Sequence, residues 1–242
     1  TLIDSTVTFQ FDPDPSYNDS TNASGTLVFL LKGTTAANAS RFYHVYFDTR
    51  SGFTASSFPA QVSLTDNVSY QGQSSYQIAT TSATYLYHKQ GAGLAAMRDV
   101  NSNDWIGYNQ TGGSAGTFRG IPNMGDWAHP GYTNSTSTLL GQGPIRATIS
   151  SQTTDGKYKA TWEFYPRYAT MTLQEAGAEY WILYEGTPGG SFNPATDYWK
   201  TSFGQRMTDN QVFVGDIPGP EWVYFGDPAM NRFLFLAHHE DD

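Results

Sequence analysis

Cysteine is absent from the chain. Disulfides, a thiolate nucleophile and any cysteine-ligated metal are therefore excluded. Charge is sparse as well. Asp, Glu, Lys and Arg make up 14% of the residues, against about 25% in an average globular domain. Only 13 residues are Lys or Arg against 22 Asp or Glu, a net charge of −9. So few cations argue against nucleic acid or an anionic membrane surface as partner. No run of about 18 apolar residues occurs, so no stretch reads as a membrane span. Amphipathic helical periodicity is missing. HExxH, the P-loop and GxGxxG are also missing. Phosphate-loop chemistry and dinucleotide binding thus have no support.

What is there is polar without charge and rich in rings. Ser, Thr, Asn and Gly fill the surface, and aromatics reach 15%. That mixture points to an extracellular or cell-surface β protein, with glycans among its partners. A chain of 242 residues holds one large β domain or two small ones and can bury a core without staples. Asn-x-Ser/Thr sequons fall at Asn18, Asn22, Asn38, Asn67, Asn109 and Asn134, half of the 12 asparagines. They read as a glycosylated surface, or as a by-product of Ser/Thr-rich loops. A start at Thr1 rather than Met is expected of a mature, processed chain. The end at Asp242, directly after a strand pattern, suggests that the native polypeptide continues.

Period-two alternation recurs along the chain. It predicts strands at Thr6–Phe11, Thr26–Leu31, Arg41–Phe47, Tyr76–Ala79, Thr84–His88 and Leu94–Val100. Ile145–Ser150 and Lys157–Tyr165 form the clearest hairpin, closed by Thr154-Asp155-Gly156. In its second strand Tyr158, Ala160, Trp162 and Phe164 face in, and Lys157, Lys159, Thr161 and Glu163 face out. Further strands are predicted at Ala169–Leu173, Tyr180–Glu185, Trp222–Phe225 and Phe233–His238. The fold class is all-β: an antiparallel sandwich or supersandwich with long aromatic and Gly-rich loops. The Ser/Gly/Pro-rich stretch Ser51–Ala60 divides an N-terminal β module, 1–55, from a main sandwich domain, 60–242. The segment 1–11 either completes its own sheet or inserts into a neighbouring subunit, as donor strands do.

Two stretches carry the candidate chemistry. Glu179–Gly190 reads as a central strand covered on both faces, ending at Glu185 before Gly186-Thr187-Pro188-Gly189-Gly190. A carboxylate at the end of a buried strand must be hydrogen-bonded, paired or protonated. Glu185 is thus a catalytic candidate, or else a cap for loop N–H groups. The irregular stretch Trp105–Tyr132 offers Trp105, Tyr108, Arg119, Asn123, Asp126, Trp127, His129 and Tyr132. Flat rings stack on pyranose faces while polar tips take the hydroxyls, so these groups suit a sugar cleft. They equally suit the plug of a sandwich end. Were the chain a lyase or hydrolase, Glu185, His129, Arg119 and Tyr165 are the types it would use. A carboxylate pair could come from Glu163, Glu179, Glu185 and Glu221, although Glu163 is placed on the solvated face.

Metal sites are weakly signalled. Asp12, Asp14, Ser16 and Asn18 have the spacing of a calcium loop, but Tyr17 stands where Gly belongs and Ala23 where Glu belongs. A solvated turn is the reading, with a casual Ca²⁺ site through Asp12, Asp14 and Asn18 as the alternative. His238 and His239 are adjacent on a strand and point to opposite faces, so the two do not readily share one ion; a site of one His assisted by Glu240 and Asp241 is the alternative.

Five segments are familiar: NDWIGY (Asn103–Tyr108), FRGIPN (Phe118–Asn123), YWILYEGTPGG (Tyr180–Gly190), GPEWVYFGD (Gly219–Asp227) and LAHHEDD (Leu236–Asp242). They resemble segments of large, uncharacterised secreted proteins of environmental bacteria. The resemblance covers roughly residues 80–242 and implies no activity and no catalytic residues. The opening, with GTLVFLLKG and RFYHVYFDT, is similar to small sandwich modules of surface proteins. At fold level the pattern is also similar to the β-supersandwich of galactose-mutarotase-like and carbohydrate-lyase proteins. Two functions are therefore expected. One is a non-enzymatic, glycosylated subunit of a surface fibre or layer, whose partners are copies of itself. The other is a carbohydrate-active protein, either a binding module or a lyase or hydrolase.

Overall fold

In the computed structural model the described residues are 7–46, 56–112, 120–122, 133–178, 180 and 182–239. Every strand among them pairs antiparallel. β1 (Phe9–Pro13) and β2 (Gly25–Phe29) form a hairpin. β3 (Val62–Tyr70), β4 (Gln73–Thr80), β5 (Ala83–His88) and β6 (Gly93–Asp99) form a meander in that order. β7 (Ser135–Gln142), β8 (Ala147–Thr153), β9 (Lys159–Phe164) and β10 (Ala169–Glu175) form a second. β11 (Tyr198–Thr201), β12 (Met207–Thr208), β13 (Trp222–Gly226) and β14 (Phe233–Ala237) make the C-terminal sheet, in the order β12-β11-β13-β14. The described residues contain no α-helix; a single 3-10 turn spans Pro188–Gly190. The all-β antiparallel expectation holds.

The two meanders share one core. Tyr85 packs on Phe164 with ring centroids 5.1 Å apart, and Tyr87 meets Trp162 edge-on at 6.3 Å. Ile78, Leu94, Ala147 and Ile149 fill the space between them and are fully buried. The inward set Tyr158, Ala160, Trp162 and Phe164 is buried as the alternation predicts. Buried hydroxyls are costly without partners; Tyr108 Oη has none among the described residues, but Tyr87 heads a bonded chain. Tyr87 Oη lies 2.6 Å from Ser151 Oγ, which lies 2.7 Å from Ser137 Oγ, and Ser137 Oγ donates to Lys89 O at 2.6 Å.

The β1–β2 hairpin is fastened to β8 by side chains. Gln10, buried at 5% exposure, donates from Nε2 to Arg146 O at 3.0 Å. Its Oε1 accepts from the backbone N–H groups of Ile145 and Arg146. Arg146 donates to Asp12 Oδ2 from Nε and Nη2 at 3.1 and 2.5 Å, and to Glu163 Oε1 from Nη1 at 2.5 Å. Glu163 is therefore not a free carboxylate on a solvated face. The outward face of β9 lies beside Arg146, and the ion pair covers it.

Three expectations need revision. Residues 41–46 form no strand and are exposed, although they alternate well. The described residues of Tyr180–Glu185 also form no strand, and Tyr180, Ile182 and Leu183 are 47%, 43% and 39% exposed. Alternation gives a segment two faces, but only a neighbouring edge makes it a strand. The segment after β10 instead spends its polar groups on the loop after β6: Tyr184 Oη donates to Trp105 O at 2.5 Å, and Thr187 N does so at 3.0 Å. Conversely, β7, STSTLLGQ, is a strand that its polar composition conceals. The described part of segment 1–11 bears on the donor-strand expectation: from Phe9 on it pairs with β2 of its own chain.

Candidate functional site

Alternation and register in the C-terminal sheet collect aromatic rings on one face. On β13, Trp222, Tyr224 and Gly226 point to one side, Val223 and Phe225 to the other. Tyr224 stands opposite Phe235 of β14 and Lys200 of β11, and Gly226 stands opposite Phe233 and Tyr198. Directly opposed residues share a face. One side of the sheet thus presents Tyr198, Lys200, Trp222, Tyr224, Phe233 and Phe235. Gly226 makes the arrangement possible. A Cβ there would lie 2.7 Å from Cζ of Tyr198, whose ring lies across the bare glycine.

The rings form a continuous platform. Trp222 and Tyr224 lie nearly parallel, 12° apart with centroids at 5.9 Å. Trp222 reaches Phe235 at 5.9 Å and Tyr224 reaches Phe233 at 4.9 Å. Tyr198 meets Tyr224 edge-on at 6.1 Å. The Arg206 guanidinium sits 3.5 Å over the Tyr198 ring centroid. Phe233 and Phe235 are 56% and 51% exposed, and Trp222, Tyr224 and Tyr198 are half-buried.

The opposite face is anchored. Phe225 packs on Tyr184 at 4.6 Å, and Thr187 Oγ1 donates to Asp104 O at 2.7 Å. Arg232 Nη1 reaches Asp99 Oδ2 at 3.2 Å. Burial works against the Asp99 carboxylate, yet hydrogen bonds from Asn103, the Asn101 N–H and the Trp105 indole outweigh it and hold it at about 2. Asp197 is buried, receives the Asn193 N–H at 2.7 Å, and is shifted upward by burial and by Asp227. Burial, then the Asp197 charge, pushes Asp209 up to about 6.

A raised carboxyl stabilises the fold while it is protonated. That contribution is complete below about 4 and is lost as pH rises through about 6. Asp209→Asn, which removes the charge, is therefore expected to be more stable than the parent at pH 7.5 by about 1 kcal/mol, the shift being discounted for solvent screening at a half-exposed site. The difference vanishes by pH 4. Paired thermal melts of the two proteins across this range check it; a constant offset contradicts it. Comparing the pair cancels His88, which burial holds down at about 4 and which destabilises the fold as pH falls from 6.5.

The residues singled out by sequence distribute as follows. Trp105 and Tyr108 are buried at 4% and 5% exposure, so their rings are core rather than sugar-facing. Tyr108 packs edge-on to His88 at 4.9 Å. Arg119, Asn123, Asp126, Trp127, His129 and Tyr132 lie outside the described residues, as do Glu179, Glu240 and Asp241. Glu185 is half-buried on the irregular segment before the 3-10 turn. Tyr165 stacks on Tyr168 at 4.8 Å beside Arg146, and burial raises its hydroxyl. Glu221 pairs with His238 Nδ1 at 2.7 Å, and its Oε1 is buried without a partner. Glu163 and Glu221 are thus held by Arg146 and His238, at different sheets. Asp12 is bound by Arg146, Asp14 by the Ser24 hydroxyl, and Asn18 Oδ1 caps the N–H groups of Ser20 and Thr21. The polar groups of the calcium-like spacing are thereby taken up by hydrogen bonds within the protein. Asn18, Asn22, Asn38, Asn67 and Asn109 are exposed and Asn134 is half-buried.

The platform went unnoticed in the sequence because Trp222–Phe225 and Phe233–His238 look like ordinary short strands. The available signal was rings at every second position in both, WVYFG and FLFLA. No family model, curated protein or solved structure matches the chain.

Proposed function

We propose that this chain is an extracellular, non-catalytic carbohydrate-binding module that holds polysaccharide on the aromatic face of its C-terminal sheet. One observation carries the reading: Trp222, Tyr224, Phe233 and Phe235 form a ring platform, exposed at Phe233 and Phe235 and flanked by Tyr198, on one face of three paired strands. Rings on a sheet are pre-positioned and lose little freedom when a sugar stacks on them. A flat face suits an extended glycan better than a small metabolite, which needs a concave site. Exposed sequon asparagines and the low-charge surface support an extracellular, glycosylated setting. Affinity electrophoresis through gels containing soluble polysaccharides tests the proposal. Retardation by at least one glycan is the expected result; free migration in a broad panel of neutral and acidic polymers contradicts it.

A second reading, a subunit of a surface fibre or layer, is favoured by Arg41–Tyr46. This strand-like segment has Phe42, Val45 and Tyr46 at 83%, 62% and 57% exposure. Exposed strand formers are what strand addition between copies uses. In that reading the chain sediments as large assemblies, and Phe42→Ser with Val45→Ser reduces them to monomers. Identical sedimentation of parent and variant removes the segment from any assembly.

A further inference from the structure

This inference rests on the glycan-binding reading and narrows it: we infer that the polysaccharide held on the aromatic face is anionic, its carboxylate or sulfate groups meeting Lys200 and Arg206. The chain as a whole carries nine more negative than positive charges, so cations left without anions are informative. Five described cations elsewhere are paired, while Arg41, Lys159 and Arg167 have no carboxylate partner among the described residues but lie on other segments than the platform. Lys89 is bound to Asp66, Arg98 to Asp104, Arg146 to Asp12 and Glu163, Lys157 to Asp155, and Arg232 to Asp99.

Lys200 and Arg206 differ. Neither has a carboxylate partner among the described residues, and both lie at the platform. Lys200 is half-buried on β11, directly opposite Tyr224. Arg206 lies on the Tyr198 ring, and Tyr198 is two residues from Lys200 on the same face. Two unneutralised cations therefore flank one tyrosine on a face made otherwise of rings. A half-buried ammonium is costly unless an anion meets it. A guanidinium already fixed on a ring is pre-organised to take a carboxylate or sulfate by two parallel hydrogen bonds. Rings for the sugar faces and cations for the acid groups complement an acidic polysaccharide, and they leave one ligand class rather than glycans in general.

The test uses the full chain with matched polymers: polygalacturonate against its carboxyl-reduced form, and a sulfated galactan against its desulfated form. The expected result is roughly tenfold tighter binding to an acidic polymer than to its neutral partner, an advantage that falls as salt rises. Lys200→Gln with Arg206→Gln abolishes that advantage: the ratio of affinities for the acidic polymer and its neutral partner falls to about one. Whichever acidic polymer shows the advantage identifies uronate or sulfate as the group read. Equal affinity for acidic and neutral partners overturns the inference and leaves the glycan-binding reading standing. An acidic preference that survives the double substitution also overturns it, because the charge is then read elsewhere. Failure to bind any polymer of the broad neutral and acidic panel overturns both.

Discussion

Trp222→Ala is expected to lower affinity for polysaccharide by roughly thirty-fold, about 2 kcal/mol, the size of a central aromatic contact. The indole is the hub of the platform, in contact with Tyr224 and Phe235. Its loss removes one stacking surface and unsupports two more. The fold survives, because the ring is only half-buried and the sheet is anchored through its other face by Phe225 and Arg232. Phe235→Ala is the control for this claim. That ring is 51% exposed, so its removal costs little stability yet still weakens binding. Isothermal titration of parent and variants with the retarding glycan reads both effects. Undiminished affinity in Trp222→Ala would falsify the platform as the binding face.

Arg146→Ala destabilises the protein by about 3 kcal/mol. The guanidinium side chain is 12% exposed and neutralises Asp12 and Glu163, which are 17% and 26% exposed. Removing it leaves two partly buried carboxylates facing each other without a cation. The backbone bonds from Ile145 and Arg146 to Gln10 remain, so the hairpin loosens rather than departs. Urea unfolding measures the loss, and hydrogen exchange locates it: β1 and β2 amides lose protection first, the two meanders last. A loss under about 0.5 kcal/mol, the scale of an exposed ion pair, contradicts a clamping role.

Composition and alternation made the class of fold legible, because a half-buried antiparallel strand writes its two faces into the sequence. The β8–β9 hairpin is the clearest case. Asp155 and Gly156 mark the turn, Gly156 adopts φ 74°, and the inward set is buried as expected. Arg41–Tyr46 and Tyr180–Glu185 show the limit. Their alternation is as good, but pairing depends on an edge elsewhere in the chain, and alternation does not encode that edge. The same limit hid the site. Trp105 and Tyr108 stood in a loop rich in sugar-binding residue types, yet burial made them core. Tyr198, Trp222, Tyr224, Phe233 and Phe235 lie on three strands separated by loops, and only the register between those strands reveals them as one surface. The Asp12–Arg146–Glu163 bridge likewise joins residues more than a hundred positions apart.

The central claim, that the C-terminal sheet is a glycan-binding face, is tested most directly by a nuclear magnetic resonance titration of the isotopically labelled chain with a bound polysaccharide fragment. The account predicts shifts of the Trp222 indole and of amides in β11, β13 and β14, with the meanders β3–β10 unmoved. Shifts confined to the meanders or to the 105–132 stretch, with the C-terminal sheet unchanged, would contradict it.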